Sequence, residues 1–466
     1  MQDYSERIDY ALTKAEAYDS ITQAEVFLGA NKLLTIRSAV GKILESKVIQ
    51  DTGLGIRILT KDHGLGFSST SDLSDKSISD SIEEAFGLAR YRKVNPDYSF
   101  SSSQKANRVS KFYDEKLVDT IFSYEDINEQ INQMLQETLD LDPAIKEAAG
   151  PTHLVEFSKR ILNSNGVNVS EKGTYWTMEL MAVAESSSDR REGTDSSAGY
   201  SINEIDTQSL SQHAADMAVR SLNGKKIDSA SYEIILSPVS VSTFLGWLAY
   251  LMFPQYQEKD MPLLRDKIGE QIVTTAMTVG HDPLRVPTPV SGAYDDEGVP
   301  TRDTVLIKDG MFKEIPLDTY YATKYQTSSN GMAFRLQAGS GMTEYPGQLY
   351  QSEPAPLLPA LYIEGGKNSI DEMIEETKNG IYLDFLHYAY ITNGSTGDYT
   401  GVLRQGTFLI NKGEIIGPIQ KCRLLDNIIE MAKNIEMIGP SRMVGHWDTF
   451  LEVPPVKISQ VDIMPY

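Results

Sequence analysis

Asp295, Asp296 and Glu297, in "YDDEGVPTRD", are three successive carboxylates that could move a proton. Paired carboxylates divide acid and base roles when their surroundings push their pKa values apart. Neighbours in sequence point in different directions on a strand or turn, and Gly298 follows at once. The spacing therefore predicts a solvated turn entering a hairpin. His281 adjoins Asp282 in "VGHDPLR". A His–Asp pair can orient a base or hold a metal. Adjacent residues seldom share one ion, however, and Pro283 predicts an extended loop with His281 in a structural or surface role. Cys422 is the single cysteine, so no intrachain disulfide forms. It sits on an apparent strand, where a lone thiol is expected to pack as a small apolar side chain. His446, in "VGHWDTF", has no partner nearby in sequence. The six histidines are scattered, with no H-x-H or H-x-x-x-H pair and no Cys–His cluster. That pattern predicts no zinc site built from this chain alone.

The stretch "SPVSVSTFLGWLAYLMF", Ser237 to Phe253, raises a different question. It is apolar and reads as a helix ended by Pro254 and Gln255, yet it carries no His, Glu, Asp, Cys, Lys or Arg. Its polar groups are those of Ser240, Ser242, Thr243, Trp247 and Tyr250. It falls short of the roughly 18–20 apolar residues that a membrane span requires. The pieces "GLGIRI", "GLGFSS" and "GSGMTEYPG" lack the strand-then-helix context of a phosphate-binding loop. "ITNGSTGDYTGVLRQG" is either a tight turn between strands or a set of backbone donors for a peptide.

These residues must be positioned by a chain of 466 residues, too many for one ordinary core. The formal net charge of −22 and the absence of a concentrated basic face argue against nucleic acid or an anionic membrane as partner. The N-terminus, "MQDYSERIDYALTKAEAY", reads as an amphipathic helix without the apolar core of a signal peptide, and the expected location is cytoplasmic.

A strand-rich run follows, "AEVFLGANKLLTIRSAVGKI", "ESKVIQD", "LGIRILTK" and "GLGFSST", with a turn at "KDHG". A helix capped by Ser74 or Asp75 places Ile78, Ile82, Ala85, Phe86 and Ala89 on one face. After a polar stretch at 95–108, a second helix aligns Ile127, Ile131, Met134, Leu135 and Leu139. Strands joined by an "NSNG" turn come next, then a helix stopped at Asn223-Gly224. Beyond Lys225 strands dominate. "TVLIKDGMFKEIPL" and "TFLINKGEIIGPI" read as related hairpins on a large sheet, turning at Gly310 and Gly413. "LLDNIIEMAKNIEMIG" reads as a late helix. The boundaries are an N-terminal α/β subdomain at 1–112, a central one at 113–224 and a β-rich domain at 225–466.

Several blocks, in order along most of the chain, resemble the TldD/PmbA family. They are "GLGIRILTKDHGLGFSSTSDLSDKSISDSIEEAFGLAR", "NSNGV", "GAYDDEGVPTRDTVLIKDGMF" through "LDTYYATKYQTSSNGMAFR", and "TGDYTGVLRQGTFLINKGEIIGPI". The resemblance implies an α+β fold: a mixed α/β N-terminal half, then a domain built on a large curved, mostly antiparallel sheet. It also implies a pair of related subunits in a cytoplasmic heterodimer that degrades small or unfolded peptides and matures precursors. The TldD-type subunit carries zinc on a helix with a His-Glu dyad and a second His, completed by a late cysteine. The TldE-type subunit, also called PmbA, lacks that site.

The helix Ser237–Phe253 falls where the zinc helix would fall, without imidazole or carboxylate, and Cys422 lies upstream of the expected cysteine. The resemblance is therefore closest to the TldE/PmbA type. It implies no catalytic residue, no metal ligand and no cofactor in this chain, with zinc in a TldD-type sister subunit; a homodimer is the other arrangement. Two alternative readings stand beside it. One is a self-sufficient hydrolase using Asp295, Asp296, Glu297 and His281. The other is a regulatory binding protein, after the family's older label as a modulator of DNA gyrase.

Overall fold

The computed structural model describes residues 4–92, 94–335, 348–446 and 449–465. The N-terminal half runs α1 (Ser5–Glu16), β1 (Ile21–Ala39), β2 (Lys42–Thr60), β3 (Leu65–Thr70), α2 (Asp75–Tyr91), α3 (Glu115–Phe122) and α4 (Glu125–Asp140). It continues with β4 (Ile145–Asn163), β5 (Asn168–Glu185), β6 (Arg190–Gly199) and α5 (Thr207–Arg220). Its strands form one antiparallel sheet in the order β3-β2-β1-β4-β5-β6. The first and central segments thus supply three strands each to a single sheet, joined where β1 pairs β4.

Side chains alternate between the two faces of a strand. Val26, Leu34, Ile36, Ile56, Ile58 and Leu154 turn to one face, where α1–α5 cover them through residues such as Ile8, Ile82, Ile131 and Leu210. Phe27, Leu33, Val155, Phe157 and Tyr175 turn to the other, where the C-terminal half packs. Ser74 caps α2, whose Ile78, Ile82, Ala85 and Ala89 are buried as the spacing predicts.

The expected run "AEVFLGANKLLTIRSAVGKI" is not one strand. The chain reverses at Val40-Gly41, with φ of 52° and 71°. "ESKVIQD" and "LGIRILTK", read as separate pieces, are one continuous strand. Gly53 is a close-approach position rather than part of a ligand loop. A Cβ there would stand 2.3 Å from the ring of Tyr350, which lies across the strand. "GSGMTEYPG" lies outside the described residues.

The C-terminal half begins with β7 (Ala230–Leu236), α6 (Pro238–Tyr250), α7 (Pro254–Gln257), β8 (Val279–His281), β9 (Thr304–Lys308), β10 (Met311–Phe312) and α8 (Thr319–Lys324). β11 (Ala333–Phe334), β12 (Ala355–Pro356), β13 (Leu361–Ile363), α9 (Ile370–Glu375), β14 (Asn379–Asn393), β15 (Asp398–Asn411) and β16 (Glu414–Pro418) follow. β17 (Cys422–Asn427), α10 (Ile428–Lys433), β18 (Ile435–Ile438), β19 (Arg442–His446), β20 (Thr449–Val453) and β21 (Val456–Pro465) complete it. One sheet has the order β14-β7-β21-β17-β15, and β15 pairs back to β14, so these strands close into a barrel. Only the β7–β14 pair within it is parallel. A second sheet runs β10-β9-β8-β13-β20-β19.

The fold is α+β, as expected, with its curved sheet closed into a ring. The two echoing hairpins turn alike, at Asp309-Gly310 (φ 48° and 79°) and Lys412-Gly413 (φ 53° and 82°). They lie on different sheets rather than one. The late helix is shorter than predicted. "LLDN" belongs to β17, α10 spans six residues and "IEMI" is β18. "ITNGSTGDYT" is the tight turn between β14 and β15, with the Gly397 N–H donating to the Asn393 carbonyl.

Candidate functional site

The three successive carboxylates do not lie in a solvated turn. Asp295 and Asp296 are fully buried and Glu297 is 2% exposed, because the loop carrying them is pressed between the N-terminal sheet and the C-terminal half. As expected of neighbours in a turn, they point apart. Asp296 accepts from Lys159 Nζ at 2.6 Å and from the Arg335 backbone N–H at 2.7 Å. Glu297 accepts from Arg57 at 3.1 Å through one oxygen, and from the Thr319 N–H and hydroxyl through the other. Asp295 accepts from the N–H groups of Glu297, Val299 and Ala333, tying its own turn to β11.

From β1 and β2, Glu25 and Arg57 complete the arrangement. Arg57 grips Glu25 with Nε at 2.9 Å and Nη2 at 2.8 Å, and Arg335 Nη2 reaches Glu25 at 2.9 Å. Three carboxylates (Glu25, Asp296, Glu297) thus face three cations (Arg57, Lys159, Arg335), with every member buried. Burial opposes the charge on Arg57, but Glu25 and Glu297 outweigh it and raise its pKa. Burial dominates at Arg335 and lowers it to about 10. Burial, reinforced by Glu297, pushes Asp295 well above the usual carboxylate range and Asp318 to about 8. These groups are buried and hydrogen-bonded, although the Arg335 Nε itself has no partner. Chemically the arrangement is an internal ion-pair lattice that fastens the two halves, not an acid–base pair open to substrate.

His281 ends β8 and is fully buried, with its ring 5.6 Å from that of Phe334. Neither ring nitrogen has a hydrogen-bond partner, and burial pulls its pKa down to about 3. It makes no hydrogen bond to the carboxylates with which the hydrolase reading would combine it. Asp282 serves elsewhere, accepting from Arg108 at 2.9 and 2.7 Å. Cys422 is buried at the start of β17, and burial pushes its thiol up to about 11. His446 ends β19, and its side chain lies outside the described residues.

Helix α6 is a core helix. Ser237 caps it by accepting from the Ser240 N–H, Pro238 begins it, and Val239, Val241, Phe244, Leu245 and Leu248 are buried on all but one side. The Ser240 hydroxyl is engaged with the Asp384 carbonyl at 2.9 Å. Thr243, Gly246, Trp247 and Tyr250, at helical spacing, form the less buried stripe. Hydroxyls and aromatic rings do not make a zinc site, which needs imidazole, thiolate or carboxylate ligands. The residues present on α6 therefore do not fit zinc. Among the described residues, no three His, Cys, Asp or Glu side chains converge to hold a metal ion.

Beside the start of α6 lies a pair that sequence reading missed. His213 of α5 meets both carboxylate oxygens of Asp384 of β14 at 3.1 Å, and the Tyr382 hydroxyl donates to the same group at 3.0 Å. Burial lowers the imidazole, but the Asp384 hydrogen bond and charge outweigh it and raise His213 to about 9. With a sequence separation of 171, no local motif could have joined these two.

A cleft of about 660 Å³ opens between the end of β6, residues 108–112, the segment after β8, and the β19–β20 hairpin. Phe112, Ala198, Leu284 and Met443 line it, together with the pairs Arg108–Asp282 and Arg285–Glu452.

The sequence matches the domains of a known family. Residues 229–464 match the PmbA/TldA metallopeptidase C-terminal domain, 120–222 its central domain and 24–89 its domain 1. The chain belongs to the PmbA/TldD metallopeptidase family. A metalloprotease of Methanothermobacter thermautotrophicus is 23% identical over 443 residues, covering 92% of this chain and 90% of that protein. Metalloprotease PmbA of Escherichia coli O157:H7 is 21% identical over 426 residues, 89% of this chain and 87% of that one. The crystal structure of TldE from Thermococcus kodakarensis superposes with a TM-score of 0.85 at 21% identity, covering 98% of this chain and all of that one.

Proposed function

We propose that this chain is a TldE/PmbA-like subunit of a two-chain metallopeptidase that degrades or processes small unfolded peptides, and that it carries no zinc site of its own. One observation carries the reading: α6, inside the matched C-terminal domain, is a complete, capped, packed helix whose side chains cannot ligate zinc. A peptidase water would need a metal with imidazole or carboxylate ligands and a nearby general base. The buried state of the Asp295–Glu297 lattice weighs against the self-sufficient hydrolase reading, since each carboxylate is buried and engaged. The partner is a sister chain with an intact zinc helix.

The test is co-purification. This chain, mixed with a family member bearing a His-Glu…His helix, should elute as one complex containing zinc, and alone it should hold none. Stoichiometric, tightly held zinc in the isolated chain overturns the proposal.

A further inference from the structure

Three carboxylates meet three cations in the lattice between the two halves, but two more acids are buried beside it. Asp295 is fully buried in the same loop, and Asp318, which caps α8, is 6% exposed. Glu25, Asp295, Asp296, Glu297 and Asp318 thus stand against Arg57, Lys159 and Arg335. Glu171, half-buried near Lys159, adds acid rather than base. A surplus of buried carboxylates is costly to keep ionised, and a group in that position holds a proton instead.

Asp318 belongs to the contact between the halves. It accepts from the Tyr321 N–H of α8 at 2.7 Å. Helix α8 packs on the N-terminal half: the ring of Tyr320 lies 5.0 Å from that of Tyr98, and its hydroxyl accepts from Asn95 Nδ2 at 3.2 Å. Glu297 binds the residue next to Asp318, accepting from the Thr319 N–H at 2.8 Å and hydroxyl at 2.6 Å. The ionisable groups around Asp318 are Glu297, Arg57 of β2, Tyr98 and, on α8 itself, Tyr321. Arg57, the cation among them, already binds Glu25 and Glu297. Burial and the Glu297 charge push Asp318 up to about 8.

We infer that the joint between the two halves is a proton-sensitive latch, closed most firmly when Asp318 is protonated and loosened when it ionises beside Glu297. Protonated, Asp318 caps α8 without a second negative charge next to Glu297. Ionised, it leaves two carboxylates to share Arg57 with Glu25. The folded pKa lies above the 3.8 of an ordinary Asp, so folding binds a proton between these values. The contribution of this group to stability is therefore complete below the lower value and is lost as pH rises through the higher one. The latch belongs to this chain alone and stands or falls independently of any role in a peptidase complex.

The experiment compares the full chain with Asp318→Asn, which keeps a side-chain oxygen for the cap but cannot ionise. The variant should melt higher than the wild type, by a margin that widens from about pH 5 to about pH 8 and then levels off. Between those values unfolding should release about one proton more from the wild type than from the variant. Other titrating groups, His213 included, are common to both proteins and cancel. At about pH 8 the α8 amides should exchange hydrogen faster in the wild type than in the variant at the same pH. Infrared spectra of the folded wild type need no variant: a protonated-carboxyl C=O band should be present at about pH 6 and fall as the pH passes about 8. Parallel pH profiles for the two proteins, or no such band in the wild type, overturn the inference.

Discussion

The Arg57 guanidinium, carried by the N-terminal sheet, lies 3.1 Å from the Glu297 carboxylate of the C-terminal half, and both side chains are buried. This contact is one joint of the lattice in which Arg57 also binds Glu25. Removing one member of such a pair leaves its partners charged and unsolvated, at a cost of about 3–5 kcal/mol. Arg57→Met should therefore lower the unfolding free energy by an amount in that range, seen as a lower urea midpoint. An unchanged midpoint would mean that the lattice does not fasten the two halves.

His213 and Asp384 make stability depend on pH in a defined window. The folded pKa of His213 is about 9, above the ordinary 6.5 of an unfolded imidazole. A raised folded pKa gives stability that is complete below the unfolded value and lost as pH rises through the folded value. The melting-temperature difference between wild type and His213→Gln should thus be largest below pH 6.5 and shrink towards pH 9. A difference that grows between these values contradicts the pairing.

Helix α6 should respond to substitution as core, not as a site. Phe244 is fully buried and sits edge-on to Tyr399 at 6.1 Å, so Phe244→Ala should cost about 3–5 kcal/mol. Ser237→Ala removes the cap and should cost about 1 kcal/mol. Thr243→Ala, on the less buried stripe, should stay within about 0.5 kcal/mol. Denaturant unfolding of the three variants checks the order.

The helices and most strands were legible because burial repeats with the right period. Ile78, Ile82 and Ala85 mark α2, and the pairing of Phe27 with Val26 on opposite faces of β1 follows from alternation. The Val40-Gly41 turn was not legible, since a β-branched residue is an unusual occupant of positive φ. The sequence pattern also misjudged Asp295–Glu297. Three charges beside a glycine look solvated, and only their distant partners Arg57, Lys159 and Arg335 make burial tolerable. The same distance hid His213–Asp384. What could be read of the site was a type of donor: α6 holds no ligand for zinc.

Duplex DNA should not bind at physiological salt. Affinity for phosphates comes mainly from clustered Lys and Arg that release counterions, and here 65 acidic residues face 43 basic ones. An anisotropy titration should show no saturable binding below micromolar concentration; tight, salt-sensitive binding would oppose the charge argument.

The most direct test of the central claim is a fluorogenic peptide assay on this chain, on a sister chain with an intact zinc helix, and on their mixture, each with and without chelator. The account predicts no cleavage by this chain alone, and chelator-sensitive cleavage of unfolded peptides, with folded proteins spared, in the mixture. Robust, chelator-insensitive cleavage by this chain alone would contradict it.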